Sequence, residues 1–357
     1  MKRTFIIAEA GVNHNGSLET AMRLIDTAAD AGADAVKFQT FKTEKLVSKH
    51  AAKADYQKRL TNEDETQFEM LKKLELNHDD HLRLIRYCET RNIQFLSTPF
   101  DSDSVDLLGS TFGLTTLKLS SGDLTNAPLL LQISQMKKKV LLSTGMSHLG
   151  EIETALFVLA FGYLRQPTES FNLTEAKKAY GSVAGQQWLK EMVTLLHCTT
   201  EYPASFTEVN LKAMEVMRAA FGLGVGYSDH TVGITIPIAA SALGAEVIEK
   251  HFTLDRNMQG PDHQASIEPK ELQEMVKAIR DVDAALGTGI KVATASEIKN
   301  IKTSRKSIVA ARPIRKGEQF SEINITIKRP GSGKEPIEYW NILGQVADRN
   351  YEQDENI

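Results

Sequence analysis

The chain has 357 residues, 42 basic against 46 acidic side chains for a formal charge of −4, and is 41% hydrophobic and 25% charged. That length suits two domains, or one large α/β barrel with an appendage, and the composition is that of a folded globular chain. The mild acidity argues against binding nucleic acid through a basic surface, and two cysteines, Cys88 and Cys198, cannot build a disulfide framework, which points to a reducing cytoplasm.

Met1-Lys2-Arg3 and the apolar residues after it begin like a signal peptide, but Glu9 interrupts the run and no cleavage site follows. The longest apolar stretches, near 154–164 and 234–245, fall short of the roughly 18–20 residues needed to span a bilayer, so no membrane segment is expected. Short β-branched or apolar runs at 5–10, 35–40, 93–98, 116–119, 140–143, 193–197, 224–227 and 246–251 read as strands, each followed by a plausible helix. Eight such units predict a closed (β/α)8 TIM barrel. An open doubly wound sheet is the alternative, but no G-x-G-x-x-G follows the first strand.

The first helix shows the local logic. Ser17 is a fitting N-cap, Glu19 complements the helix dipole, and Leu18, Ala21, Leu24, Ile25, Ala28 and Ala29 form one apolar stripe ending at Gly32. The segment 42–80 after the second strand is long, carries a helix near 65–76, and is expected to cover the barrel mouth; the long stretch 161–190 receives no function. The barrel is assigned to 1–285, a linker to 286–303, and a small module of short strands and turns to 304–357. At that size the module is marginal alone and is expected to pack on a barrel, its own or a partner's.

Each predicted strand ends in polar groups at what would be one rim: Glu9; Lys37 and Gln39; Ser97 and Thr98; Lys118 and Ser121; Ser143 and Thr144; His197 and Thr200; Ser228, Asp229 and His230; Glu249 and His251. Buried parallel strands have every reason to stay apolar, so the set reads as a catalytic face. Lys37 and Lys118 with surrounding hydroxyls suit a small, multiply anionic ligand such as a phosphorylated carboxylic acid. His230 and His251 end neighbouring strands and could share a metal with positions left open, which favours Mn²⁺ or Mg²⁺ over zinc; two hydrogen-bonded core histidines are the plainer reading. His197 is a third ligand or a support, and Cys198 a small buried apolar residue. Glu9 is either a general acid/base or a structural partner of Lys37.

The strings Ile7-Ala8-Glu9-Ala10-Gly11-Val12-Asn13-His14-Asn15-Gly16, Val36-Lys37-Phe38-Gln39-Thr40, Ser97-Thr98-Pro99-Phe100, Leu142-Ser143-Thr144-Gly145-Met146, Tyr227-Ser228-Asp229-His230-Thr231, Glu249-Lys250-His251-Phe252-Thr253 and Gly260-Pro261-Asp262-His263 together resemble the bacterial nonulosonic (sialic) acid synthases. Lys328-Arg329-Pro330-Gly331 resembles the antifreeze-like (SAF) domain of that family, so the likeness covers nearly the whole chain.

The resemblance implies a transferase that condenses phosphoenolpyruvate with an open-chain, N-acetylated mannose-type sugar, releasing phosphate. Carried over by position, His230 and His251 would hold the divalent metal, Mn²⁺ with Mg²⁺ or Co²⁺ as alternatives. Lys37, Thr98, Lys118, Ser121, Ser143, Thr200 and Ser228 would hold phosphoenolpyruvate, and Glu9 would place a water. Gln39, Phe100, Tyr202 and Asp262 would face the sugar, and Arg329 would reach it across a domain-swapped homodimer. Asp123 stands where the family commonly carries Glu, which weakens any direct contact from it. Within the family, the runs around 197–214 and 226–234 look most like synthases of N,N'-diacetyllegionaminate; those of N-acetylneuraminate are nearly as similar, those of pseudaminate less so. The rivals are a Schiff-base aldolase using Lys118 or Lys37, and a glycan- or ice-binding tail on an inert barrel.

Overall fold

A computed structural model of the protein describes residues 3–53, 65–166 and 168–357. Eight parallel strands, β1 (Phe5–Gly11), β2 (Ala35–Thr40), β3 (Gln94–Pro99), β4 (Thr116–Leu119), β5 (Lys139–Ser143), β6 (Val193–Cys198), β7 (Gly224–Asp229) and β8 (Val247–His251), form one sheet in the order β3-β2-β1-β8-β7-β6-β5-β4. First and last strands pair directly, Ile7 opposite Glu249 and Glu9 opposite His251. β3 and β4, the two ends of the order, lie against each other, and the sheet curls into a near-closed (β/α)8 barrel. Expected and observed strands agree to within one or two residues.

Alternation along the strands explains why the barrel is plugged below and polar above. Inside, Ile7, Ala35, Leu96, Leu141, Leu196 and Val247 form one apolar layer. Two residues further along the same strands stand Glu9, Lys37, Thr98, Ser143, Cys198 and Glu249, so the next layer changes from hydrocarbon to polar groups. The alternate residues of the strands, among them Ala8, Val36, Phe38, Leu142, Tyr227 and Ile248, point outward into the main core under the helices.

The first helix spans Leu18–Asp30; the Ser17 side chain accepts the Thr20 N–H at 3.2 Å, and Ala21, Leu24, Ile25 and Ala28 are buried. Gly32 takes the left-handed turn (φ +80°) that leads into β2, as Gly244 (φ +83°) does before β8. After β2, short helices at Thr43–Leu46 and Gln67–Lys72 flank residues 54–64, which lie outside the described residues. The second of these is shorter than the expected 65–76: Thr66 and Glu69 close a capping box at its start, and Lys73 caps its end. The 161–190 stretch holds helices Leu173–Tyr180 and Val183–Met192, which pack on the helix Leu149–Leu164.

The chain divides into two compact units between Gly287 and Thr288. In the second, the stretch assigned as linker carries a helix, Ala295–Ser304, opened by a Thr294–Glu297 capping box. β9 (Ser307–Ala310) pairs antiparallel with β10 (Ile325–Lys328), and a small core gathers Ile308, Ile314, Phe320, Ile325, Ile342, Tyr351 and Ile357.

Candidate active site

The C-terminal ends of the strands open into a cavity of about 330 Å³. Glu9, Lys37, Gln39, Thr98, Phe100, Lys118, Ser121, Ser143, Thr200, Tyr202, Ser228, His230, His251 and Asp262 all line it. Of the site residues expected from the sequence, Arg329 alone belongs to the second unit. Leu46, Val47, Gln67, Met70 and Leu71 supply one wall, so the described parts of the long segment after β2 do border the mouth.

Four buried charges interlock on the cavity floor. The Lys37 ammonium lies 2.7 Å from Glu9 Oε2 and 3.5 Å from Glu249 Oε2, and donates to Thr98 Oγ1 at 3.0 Å. Lys118 reaches Glu249 Oε1 at 3.2 Å, and Ser228 donates to the same oxygen at 2.8 Å. Environment separates the two carboxyls. Burial pushes Glu9 up to about 7; Lys37 opposes this and the Glu249 charge adds to it. Burial works on Glu249 too, but Lys118 and Lys37 outweigh it and hold this carboxylate well below its usual range. The same pull raises Lys118 against its burial. Glu249 thus links both lysines to β7, a role the sequence reading did not assign, although the residue stands two positions before His251 on the same face.

His230 and His251 stand with ring centroids 5.6 Å apart, and Tyr202 lies 4.1 Å from the first and 5.7 Å from the second. Nδ1 of His230 donates to the Thr199 carbonyl at 2.6 Å. A carbonyl can only accept, so the neutral ring carries its lone pair on Nε2. Nδ1 of His251 is buried without a hydrogen-bond partner, 3.9 Å from Asp262 Oδ2. Burial pushes His230 down to about 4, and burial with the neighbouring His230 pushes His251 well below its ordinary value; Asp262 is raised by burial to about 6. Two neutral imidazoles, one with an orphaned buried nitrogen, fit a divalent cation. Among the described residues no group of three or more His, Cys, Asp or Glu could hold a metal ion; a cation held by the histidine pair would need oxygen donors for its remaining positions.

At the ends of β4, β5 and β6 lies a compact hydroxyl wall. The Gly145 N–H donates to Ser121 Oγ at 3.0 Å, and Ser143 Oγ is buried without a partner. A methyl on Gly145 would fall 2.3 Å from Thr200 Oγ1, 2.8 Å from Ser121 Oγ and 3.0 Å from Cys198 Sγ, so only glycine lets these groups converge. Cys198 is therefore more than buried filler: it lines the cavity, with its sulfur 3.0 Å from Ser121 Oγ. His197, one residue earlier, points the other way, holding the Val209 carbonyl through Nε2 at 2.7 Å and packing near Tyr227, which leaves it a support and not a ligand. Asp123 is absent from the cavity lining; it accepts from Ser120 Oγ at 2.6 Å and Asn126 Nδ2 at 3.2 Å within its own turn.

Comparison with known proteins agrees along the whole chain. Residues 24–291 match the NeuB family and residues 305–357 the SAF domain. The chain is 52% identical to an N,N'-diacetyllegionaminic acid synthase of Campylobacter jejuni, covering 100% of this chain and 99% of that one. It is 44% identical to the protein of the same name from Legionella pneumophila, over 97% of this chain and 91% of that one. Among solved structures, the N-acetylneuraminic acid synthetase of Leptospira borgpetersenii matches with a TM-score of 0.68 and 34% identity, covering 84% of this chain and 90% of that one. The chain belongs to the NeuB family and ends in a SAF domain.

Proposed function

We propose that this chain is a phosphoenolpyruvate-dependent nonulosonic acid synthase, and specifically one that makes N,N'-diacetyllegionaminic acid from an open-chain, N-acetylated mannose-type sugar. The observation that carries the reading is the convergence, in one cavity, of two buried lysines, two carboxyls of divergent acidity and two neutral imidazoles. The choice of sugar rests on the full-length likeness to the Campylobacter protein.

Lys37 and Lys118 would hold the anionic groups of phosphoenolpyruvate, with Thr98, Ser121, Ser143, Thr200 and Ser228 donating hydroxyls. Each charge-assisted bond contributes about 1.5–3 kcal/mol. Gln39, Phe100, Tyr202 and Asp262 would orient the sugar, while Val12, Leu46, Val47, Met70 and Met146 offer apolar surface for its acyl methyls. Holding both reactants within bonding reach supplies the proximity term. C3 of phosphoenolpyruvate bonds to the aldehyde carbon, and water adds at the cationic C2. Glu9, poised near neutrality, takes a proton from that water, and this balances the proton needed by the new hydroxyl. The C2–O bond to phosphate then breaks, and phosphate leaves with the electron pair and takes up the C2 hydroxyl proton as the ketone forms. A divalent metal at His230 and His251, with Mn²⁺ the best fit and Mg²⁺ or Co²⁺ as alternatives, would supply Lewis-acid polarisation of the aldehyde.

Arg329, from the partner of a domain-swapped homodimer, would complete the sugar site. Among the described residues no helix is long and apolar enough to cross a membrane, and we place the enzyme, with its phosphoenolpyruvate, in the cytoplasm. The test is phosphate release from phosphoenolpyruvate with a panel of sugars: the manno and altro 2,4-diacetamido-2,4,6-trideoxyhexoses and N-acetylmannosamine. The reading expects fastest turnover with the manno diacetamido sugar. Preference for N-acetylmannosamine would move the assignment to N-acetylneuraminate. Phosphate release with none, or borohydride trapping of substrate on Lys37 or Lys118, would overturn it.

A further inference from the structure

His230, just after β7, and His251, at the end of β8, line the cavity, and the residue before each, Asp229 and Lys250, faces the opposite way. Ser228 pairs with Glu249 in the ladder and Asp229 with Lys250, and there the ladder ends. His230 and His251 come one residue later, so strand pairing alone does not set their separation. On the outer side of the wall, Asp229 and Lys250 are both 0% exposed, and the ammonium lies 2.6 Å from Asp229 Oδ2. The same ammonium donates to the Thr231 carbonyl, and so grips the chain on both sides of His230. Asp229 closes the turn around that histidine: Oδ1 accepts the Thr231 N–H at 3.0 Å and the Tyr227 hydroxyl at 3.2 Å, and Oδ2 accepts the Thr231 hydroxyl at 3.2 Å.

A buried ion pair adds little stability over well-packed hydrocarbon, because desolvation offsets most of the attraction. What this one does is geometric. Asp229 sits between Ser228 and His230, Lys250 between Glu249 and His251, and their bond ties the two inward-facing pairs together from behind.

We propose that Asp229 and Lys250 are positioning residues that fix the spacing of the His230 and His251 imidazoles, acting as an outer support of the metal site that touches neither metal nor substrate. The inference rests on reading the two histidines as a metal pair. Outer partners of metal ligands typically govern about 10–100-fold in affinity.

The experiment uses the full chain stripped of metal, titrated with Mn²⁺ by calorimetry and with Co²⁺ by visible absorption, alongside phosphoenolpyruvate binding to the metal-free protein. The double variant Asp229→Asn/Lys250→Met removes both charges together and leaves neither ion buried alone. It is expected to bind both metals about 10–100-fold more weakly, with an altered Co²⁺ spectrum, while phosphoenolpyruvate affinity falls clearly less than metal affinity, because the ladder pairing and the Ser228–Glu249 hydrogen bond still hold those two residues against Lys118 and Lys37. Should the double variant fail to fold, Thr231→Val, which deletes one hydroxyl from the turn, is expected to weaken metal about 2–10-fold. Wild-type metal affinity and spectrum in the folded double variant overturn the inference. So does equal loss of metal and phosphoenolpyruvate binding, or, if the double variant is unfolded, unchanged affinity in Thr231→Val. A wild-type protein that binds neither metal overturns the histidine-pair reading along with it.

Discussion

Gly145→Ala adds a single methyl group where the hydroxyl wall closes. Its carbon would lie 2.3 Å from Thr200 Oγ1 and 2.8 Å from Ser121 Oγ, short of ordinary contact by about 1.2 and 0.7 Å respectively. Thr200 is exposed and can rotate away, but Ser121 is tied to the Gly145 N–H at 3.0 Å and Cys198 is buried, so the wall must shift into the cavity. Overpacking of this kind costs about 1–3 kcal/mol, and because the cavity offers relief, the loss in Tm should stay below about 10 °C. The hydroxyl positions are altered directly. Misplacing one or two ligand hydrogen bonds, about 1.5–3 kcal/mol, corresponds to a KM for phosphoenolpyruvate raised about 10–100-fold. Gly150→Ala is the control, since nothing lies within 4 Å of the added methyl in its helix, and it should leave KM unchanged. Phosphate release against phosphoenolpyruvate, with a thermal melt of each protein, gives the comparison. A Gly145→Ala enzyme with native KM for phosphoenolpyruvate would remove this wall from the binding site.

His230→Ala and His251→Ala should each abolish phosphate release, and chelation of the wild-type enzyme should do the same reversibly; full activity in either variant refutes the pair as metal ligands. Cys198→Ala, which keeps a small apolar group beside Ser121, should retain most activity in the same assay. Arg329→Ala should raise KM for the sugar more than for phosphoenolpyruvate, and equal effects on both would count against the swapped arginine. His14 is buried and pushed by its burial to about 4 from an ordinary value of 6.5. A depressed histidine favours proton uptake by the unfolded chain, so its contribution is complete above about 6.5 and fades as pH falls towards 4, by on the order of 3 kcal/mol. Urea unfolding at pH 7 and pH 5 checks this: His14→Gln should flatten the difference, and an unchanged slope would refute it.

Much of the barrel was legible because a buried parallel strand is an apolar run that ends where it meets the mouth. Lys37, Lys118, His230 and His251 stood out as ionisable groups at such ends. Which side of the wall each residue faces was harder to read. His197 and Cys198 are neighbours, and one step of register decides which enters the cavity; β6 places Cys198 opposite Ser228 and sends His197 outward beside Tyr227. Glu249 was visible as a strand-end residue, but its link to both lysines needs β2, β4 and β8 brought together. The helix at Ala295–Ser304 carried a readable signal, Thr294 three residues before Glu297, which the surrounding small polar residues and glycines obscured.

The most direct test of the account is anomalous scattering from crystals grown with Mn²⁺ and phosphoenolpyruvate. The account predicts a single strong manganese peak within coordination distance, about 2 Å, of one nitrogen of each of His230 and His251, with the phosphoenolpyruvate anions against Lys37 and Lys118. Manganese bound elsewhere, or phosphoenolpyruvate seated away from those lysines, would contradict it.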